Sequence, residues 1–312
     1  MVNPLTISKE ALEALDISTA DVIAAIEHLL HGQKQGKVWN APKGVLLPPD
    51  DRFLMATLTC ADDPPFMAVK ALFLSPHNPE RGMEAIQSVV TLMDSQTGRP
   101  CAVLDGNWIT AVRTAGLSAV AAKRMARPDS STIAFIGCGV QARSHLQAFA
   151  DLFPLREVRA FGRGQSNRDG LCRMAEDMGL GAVKCVTPQE AIADADLVVT
   201  SVSMTPKPEP FLDARWLKPG AFAAIADQAI PWMPPRMTAF DRIVIDDLAQ
   251  ERQMTTPMVD LSLVKGDLAD LVHGDVPGRT SEDERTAFVF RGLGIGDLAV
   301  AALAYMRAKA IG

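Results

Sequence analysis

In the run Ser130-Ser131-Thr132-Ile133-Ala134-Phe135-Ile136-Gly137-Cys138-Gly139-Val140-Gln141-Ala142-Arg143-Ser144-His145 the residue pattern changes twice. Thr132 to Ile136 is short and mostly apolar, as in a buried strand. Glycines follow at once, and from Gln141 onward apolar residues recur at helical spacing, with Leu146, Phe149, Ala150 and Phe153 on one face. The order is strand, tight turn, helix. In such a turn Gly137 can take a backbone conformation closed to other residues. The missing side chain at Gly139 lets a pyrophosphate approach the main chain, where free N–H groups and the positive helix end hold it. Ala142 is the permitted small variant at the third position of the G-x-G-x-x-G/A pattern. Gly-rich turns also serve as plain loops, but one placed after a strand and before an amphipathic helix points to dinucleotide binding.

A chain of 312 residues can bury a sizeable core and is long enough for two domains. Net charge is −6, with no basic block or basic-aromatic interleaving, which argues against nucleic acid and anionic membrane as partners. The start lacks a charged segment followed by an apolar one, and no apolar run is long enough to span a bilayer, so a cytoplasmic protein is expected. Cys60, Cys101, Cys138, Cys172 and Cys185 are odd in number and widely spaced, with no C-x-x-C pair and no His at ligand spacing. Reduced thiols and no metal site are expected.

The pattern predicts a helix over about 19–36, capped by Ser18 or Thr19 and apolar at Val22, Ile23, Ile26, Leu29 and Leu30. Residues 52–60, 66–74, 86–94 and 100–105 are β-rich runs separated by turn material, which reads as an antiparallel sheet in an α+β region. A helix over 108–126 follows. Beyond it, strands at 132–136, 157–161, 183–186, 196–201, 221–226 and 242–246 alternate with helical stretches. Six short strands with crossovers describe a doubly wound parallel sheet. The region after about 250 reads as polar loops, followed by a final helix at 295–308.

Several residues are placed for chemistry. Lys70 lies inside Phe66-Met67-Ala68-Val69-Lys70-Ala71-Leu72-Phe73-Leu74, where an ammonium is costly unless a partner or ligand meets it; the plain alternative is a lysine snorkelling from an edge strand. Arg113 shares a helix face with Leu117 and Val120 and points inward, suited to a carboxylate, a pyrophosphate or a structural ion pair. Asp227 closes a strand at the carboxyl edge of the parallel sheet, where doubly wound folds bind ligands, and its plain alternative is a helix or turn cap. His77 and Asn78 sit in a turn, which Asn shapes, and His145 reads as an ordinary helix residue. Strand two ends Phe161-Gly162-Arg163-Gly164 with no acid to bond a ribose 2′-hydroxyl. Arg163 could instead pair with a 2′-phosphate, which leans the cofactor toward NADP(H) within NAD(P)H, unless it is simply solvated. Thr200, Ser201 and Val202 are placed to line the nicotinamide ribose.

These residues, taken together, resemble the ornithine cyclodeaminase/μ-crystallin family over nearly the whole chain. The resemblance is carried by Lys70, Ser75-Pro76-His77-Asn78-Pro79 with Gly82, Asp94 to Gly98, and Thr110-Ala111-Val112-Arg113-Thr114-Ala115. It continues through Ile136-Gly137-Cys138-Gly139-Val140-Gln141-Ala142, Lys218-Pro219-Gly220, and Gly278-Arg279-Thr280 before Thr286-Ala287-Phe288. It implies an α/β fold of two parts. One is a substrate-binding and dimerisation domain over 1–112, completed by 290–312; the other is a Rossmann domain over 113–289 that binds the nicotinamide cofactor. It also implies a homodimer. Lys70 and Arg113 would hold a substrate carboxylate, and Asp227 would act in proton transfer. Arg113-Thr114 and Gly139-Val140-Gln141 would touch the pyrophosphate. Pro42-Lys43 stands where the family usually has an arginine for the substrate carboxylate, keeping the charge without the bidentate fork. Phe290 stands where a serine commonly precedes the last helix.

Members of that family either cyclise ornithine or lysine with loss of ammonia, or reduce small imines and ketimines to amino acids. A cyclodeaminase holds one cofactor through both half-reactions, which suits NAD, so the absent acid after strand two favours a reductase of an imino acid whose side chain the sequence does not specify. A third class, a non-enzymatic cofactor-binding protein like the crystallin use of this fold, has no need of Lys70 or Asp227.

Overall fold

The structure, a computed structural model, describes residues 3–203 and 208–311. In chain order it begins with β1 (Leu5–Ile7), α1 (Lys9–Glu13), α2 (Thr19–Lys34), β2 (Val38–Asn40), β3 (Gly44–Leu46), β4 (Phe53–Ala61), β5 (Phe66–Leu74), β6 (Ile86–Asp94), β7 (Pro100–Asp105) and α3 (Gly106–Met125). Next come β8 (Thr132–Ile136), α4 (Val140–Leu152), β9 (Glu157–Phe161), α5 (Gln165–Asp177), β10 (Gly181–Lys184), α6 (Pro188–Ile192), β11 (Leu197–Thr200) and β12 (Phe222–Ile225). The chain ends with β13 (Arg242–Ile245), α7 (Leu248–Glu251), β14 (Val264–Asp267), α8 (Leu268–His273), β15 (Thr286–Val289) and α9 (Gly294–Ile311). Two compact units divide it: Met1–Gly116 with Leu293–Gly312, and Leu117–Gly292.

In the first unit the strands run β1-β7-β6-β5-β4-β2, with β3 also on β4. The expectation of an antiparallel sheet needs one correction, because β1 joins β7 in parallel. That strand, like β2 and β3, has three residues, too few for a periodic pattern to show in the sequence. β5 lies between β4 and β6, with Lys70 opposite Thr57 on one side and Val90 on the other. A central position rules out an edge lysine. Side chains alternate across the sheet: Thr57, Thr59, Ala68, Lys70, Leu72, Val90 and Leu92 are buried on one face, where α9 packs against β4, β5, β6 and α2. A capping box between Ser18 and Asp21 starts α2, and its Ile26, Leu29 and Leu30 are fully buried, each contributing about 1.5–3 kcal/mol of transfer free energy.

The second unit is a parallel sheet in the order β10-β9-β8-β11-β12-β15-β13-β14. It has eight strands rather than six. The additional β14 carries a lysine, a glycine and an aspartate, and the additional β15 is four residues long, so both are hidden in a region whose composition reads as loop. β15 enters between β12 and β13, which displaces the simple doubly wound order. The observed β10 starts two residues ahead of the expected 183–186, since an edge strand with little buried surface marks its ends weakly. Arg279 pins the loop before β15 by donating to the carbonyls of Met125, Gly220 and Glu284.

No helix among the described residues is long and apolar enough to cross a membrane. The buried start of α9 requires a glycine. A Cβ at Gly294 would press on the Thr59 hydroxyl and come within 2.6 Å of Oδ1 of Asn40. Gly294→Ala is expected to lower stability by about 1–3 kcal/mol through overpacking, read as a lower denaturant midpoint; an unchanged or higher midpoint would mean that α9 can lift off β4 at no cost.

Candidate active site

The glycine turn of the second unit has the geometry its sequence requires. Gly137 has φ +92°, and a Cβ there would sit 2.5 Å from the carbonyl oxygen of Ser201, so a side chain is excluded on both counts. Its N–H donates to Phe161 O at 2.9 Å, and the Ser201 N–H donates to Ile136 O at 2.9 Å, which ties the ends of β8, β9 and β11 together. Gly139 is the N-cap of α4, and no side chain caps the helix. Space is open where its Cβ would be. Ala142 is fully buried, and Val140 is half exposed beside the turn. Gln141 Oε1 is buried without a hydrogen-bond partner among the described residues. An uncapped helix start with an open glycine in front of it fits the pyrophosphate of a dinucleotide. Arg163 is exposed in the loop after β9.

Beyond the ends of β11 and β12, Asp227 is buried and accepts hydrogen bonds from the Thr200 hydroxyl at 3.0 Å and the Val202 N–H at 3.1 Å. Trp232 Nε1 donates to the Thr200 hydroxyl at 3.4 Å, closing the rear of the group. Burial pushes the Asp227 carboxyl up to about 7, against hydrogen bonds that favour its ionised form. Gln228 and Ala229, next in the chain, both have φ +58°, a left-handed pair without glycine. Backbone of this kind costs of order 1–3 kcal/mol per residue and persists where its surroundings enforce it. Thr200, Val202 and Asp227 therefore form one cluster, with the Ser201 hydroxyl 3.5 Å from Gly137 O.

In the first unit Lys70 Nζ donates to Asp297 Oδ1 at 2.7 Å, Arg113 Nε lies 3.0 Å from the same oxygen, and the Thr57 hydroxyl donates to Oδ2 at 3.0 Å. All four side chains are buried. Burial, and after it the charge of Arg113, brings Lys70 down to about 7, with Asp297 opposing and Lys43 adding a smaller push in the same direction. Burial resists ionisation of Asp297, yet Arg113 and Lys70 outweigh it and hold the carboxyl below its usual range. Two cations thus share one carboxylate. Thr114, the residue after Arg113 in α3, spends its hydroxyl proton on Thr110 O at 2.7 Å, which leaves that hydroxyl only able to accept.

Asp297, Thr57 and Trp232 are the members that sequence reasoning misses. The signal for Asp297 is visible afterwards: a lone acid within Ile295-Gly296-Asp297-Leu298-Ala299-Val300-Ala301, a helix start apolar on every side. Other candidates stay outside these clusters. His145 is fully buried between Gln141 O, 2.7 Å from Nδ1, and the Ser118 hydroxyl, 2.9 Å from Nε2, and burial takes it down to about 4. Asn78 donates to Glu84 O at 3.1 Å and shapes its turn, while His77 is exposed. Phe290 is buried, with its ring 6.4 Å from that of Phe288.

The profile of the ornithine cyclodeaminase/mu-crystallin family matches residues 4–311. The chain belongs to that family. An alanine dehydrogenase of Archaeoglobus fulgidus is 30% identical over 97% of this chain and 95% of its own length. Among solved structures, the Δ1-pyrroline-2-carboxylate reductase of Thermococcus litoralis, in complex with NADH and L-proline, superposes with a TM-score of 0.89 at 25% identity, covering 99% of this chain and 98% of that one. An archaeal alanine dehydrogenase dimer with bound NAD gives a TM-score of 0.87 at 28% identity, covering 99% of this chain and 97% of that one.

The Asp227 geometry has a pH consequence. Its folded carboxyl titrates near 7 and an unfolded aspartate near 4, so the folded state binds the extra proton between those values, and stability falls as pH rises through this window. Asp227→Asn, which cannot ionise, is expected to flatten that part of the curve. Thermal midpoints of the cofactor-free protein from pH 4 to pH 7 should converge or cross in favour of the variant as pH rises, whereas parallel curves would mean that Asp227 ionises in place at no cost.

Proposed function

We propose that the protein reduces a small imino acid to the amino acid with a nicotinamide dinucleotide, preferring NADPH. The observation that carries the reading is the buried convergence of Lys70 and Arg113 on one oxygen of Asp297, with the charge of Lys43 also felt at Lys70. A carboxylate is the substrate group that a lysine and an arginine held side by side recognise. Arg113 offers it a planar fork, and Lys43 offers charge alone. Lys70, poised near neutrality, takes the charged form once a second carboxylate joins it. The alanine dehydrogenase and pyrroline-2-carboxylate reductase relatives are named for molecules of this class.

In the second unit, Gly137, Gly139, Val140 and Gln141 hold the pyrophosphate at the start of α4, and Thr200, Ser201 and Val202 border the nicotinamide ribose. The bound nicotinamide supplies the hydride. Asp227, fixed by Thr200 and the Val202 N–H, carries a proton for the imine nitrogen and, when ionised, stabilises the iminium charge. The preference for NADPH rests on Arg163 and on the absence of an acid after β9.

The same sheet that carries Lys70 has an open apolar face. Leu46, Leu54, Leu58 and Val89 are 59%, 39%, 49% and 39% exposed, and the strand register sets them on neighbouring rows of one side. We propose that a second copy covers this face, as a homodimer; the related archaeal alanine dehydrogenase is described as a dimer. A dimer by sedimentation at micromolar concentration, lost in Leu54→Glu/Leu58→Glu, is expected. A parent that sediments as a monomer would contradict it.

For the reaction, NADPH oxidation over a panel of cyclic and acyclic imino acids should identify a substrate, with NADH poorer. Lys70→Ala should remain folded and bind dinucleotide while kcat/KM falls by about a hundredfold or more. Release of ammonia from ornithine with no net change in nicotinamide absorbance would replace the reductase by a cyclodeaminase. Turnover in Lys70→Ala within a few-fold of the parent would make the lysine structural.

A further inference from the structure

Arg163 is one guanidinium group that could meet a 2′-phosphate, and others lie at the same end of the parallel sheet. Arg143, in the first turn of α4, places Nη2 3.5 Å from Oδ1 of Asn167, in the first turn of α5. Gly170, on the next turn of α5, leaves the room for it: a Cβ there would sit 3.0 Å from the same Nη2. Arg143 therefore reaches from the helix after the glycine turn to the helix after β9, across a gap kept open by a missing side chain.

Arg168, also in the first turn of α5, has a buried Nε with no hydrogen-bond partner among the described residues. Both Arg143 and Arg168 act electrostatically on the thiol of Cys138, the middle residue of the glycine turn. The end of β9 abuts the same residue: Cys138 Sγ lies 3.5 Å from Phe161 O, and a Cβ on Gly162 would sit 3.2 Å from that sulfur. The acid nearest in sequence, Asp169, is committed to Lys184 at 2.7 Å. In a doubly wound sheet the adenosine ribose lies where the second strand meets the glycine turn, and the two nicotinamide dinucleotides differ at its 2′-position.

We propose that Arg143 and Arg168 join Arg163 in a binding site for a ribose 2′-phosphate, with Arg143 setting the preference and Gly170 seating it. This deepens the functional reading and rests on its dinucleotide. A phosphate monoester accepts paired N–H donors from planar guanidinium groups and offsets their mutual repulsion, whereas a ribose hydroxyl does neither.

Calorimetric titration of the whole protein with adenosine 2′,5′-bisphosphate, 5′-AMP, NADPH and NADH tests the site without turnover. The parent is expected to bind the 2′-phosphorylated member of each pair about tenfold tighter or better, and Arg143→Gln to lose about tenfold on those members while NADH affinity stays within about twofold. Gly170→Gln puts a good helix former in place of glycine, so its thermal midpoint should not fall, yet it displaces Arg143 and should cost about fivefold for the same two ligands. If both variants keep the parent's discrimination, the Arg143 site is overturned and the dinucleotide reading stands. If the parent binds NADH and NADPH equally, the 2′-phosphate site is overturned along with the NADPH preference. If the parent binds neither dinucleotide, the reading of the glycine turn itself fails and the site falls with it.

Discussion

One carboxylate, Asp297, faces two buried cations. Its Oδ1 meets Lys70 at 2.7 Å and Arg113 at 3.0 Å, while Thr57 occupies Oδ2. Removing charged groups from water is expensive, and a buried pair recovers that cost only with close geometry and satisfied hydrogen bonds. A second cation on the same oxygen adds repulsion between Lys70 and Arg113. Burial moves Lys70 toward its neutral form, which eases the repulsion between it and Arg113. The rest of the first unit serves this arrangement. β5 is central so that Lys70 cannot reach solvent, α9 lies directly on β4 because Gly294 has no side chain, and that contact sets Asp297 over the sheet.

The second unit has a titratable group poised by the opposite route. Asp227 rises toward neutrality through burial, as Lys70 falls toward it, and both sit near the pH at which protons are exchanged most readily. The left-handed pair Gln228-Ala229 and the burial of a carboxyl are both unfavourable to stability, and they occur at the carboxyl edge of the parallel sheet, where ligands bind in this class of fold.

Much of this was legible in the residues themselves. The glycine turn announces itself because its requirements are local: Gly137 needs a positive φ, and Gly139 needs an empty space in front of a helix. Lys70 is visible as a charge in an apolar strand. The long strands β4 to β7 read correctly because nine or six residues carry enough pattern, whereas β1, β2, β3, β14 and β15 have three or four and are defined by the partners they find. Asp297 shows the limit most plainly. It carries the same kind of signal as Lys70, an acid among apolar residues, but the two lie 227 positions apart, and no spacing rule connects them. Only the packing of α9 on the sheet brings the acid to the lysine.

Proton uptake on ligand binding tests the charge account most directly. A flat cyclic carboxylate without a titrating amine, such as pyrrole-2-carboxylate, can be titrated into the protein by calorimetry near pH 8, in buffers of different ionisation enthalpy. If Lys70 and Arg113 receive a substrate carboxylate, then a second negative charge beside Lys70 must raise its pKa from about 7. Binding should therefore take up a substantial fraction of a proton, and Lys70→Met should abolish that uptake. Binding with no proton uptake, or with the same uptake in Lys70→Met, would contradict the account.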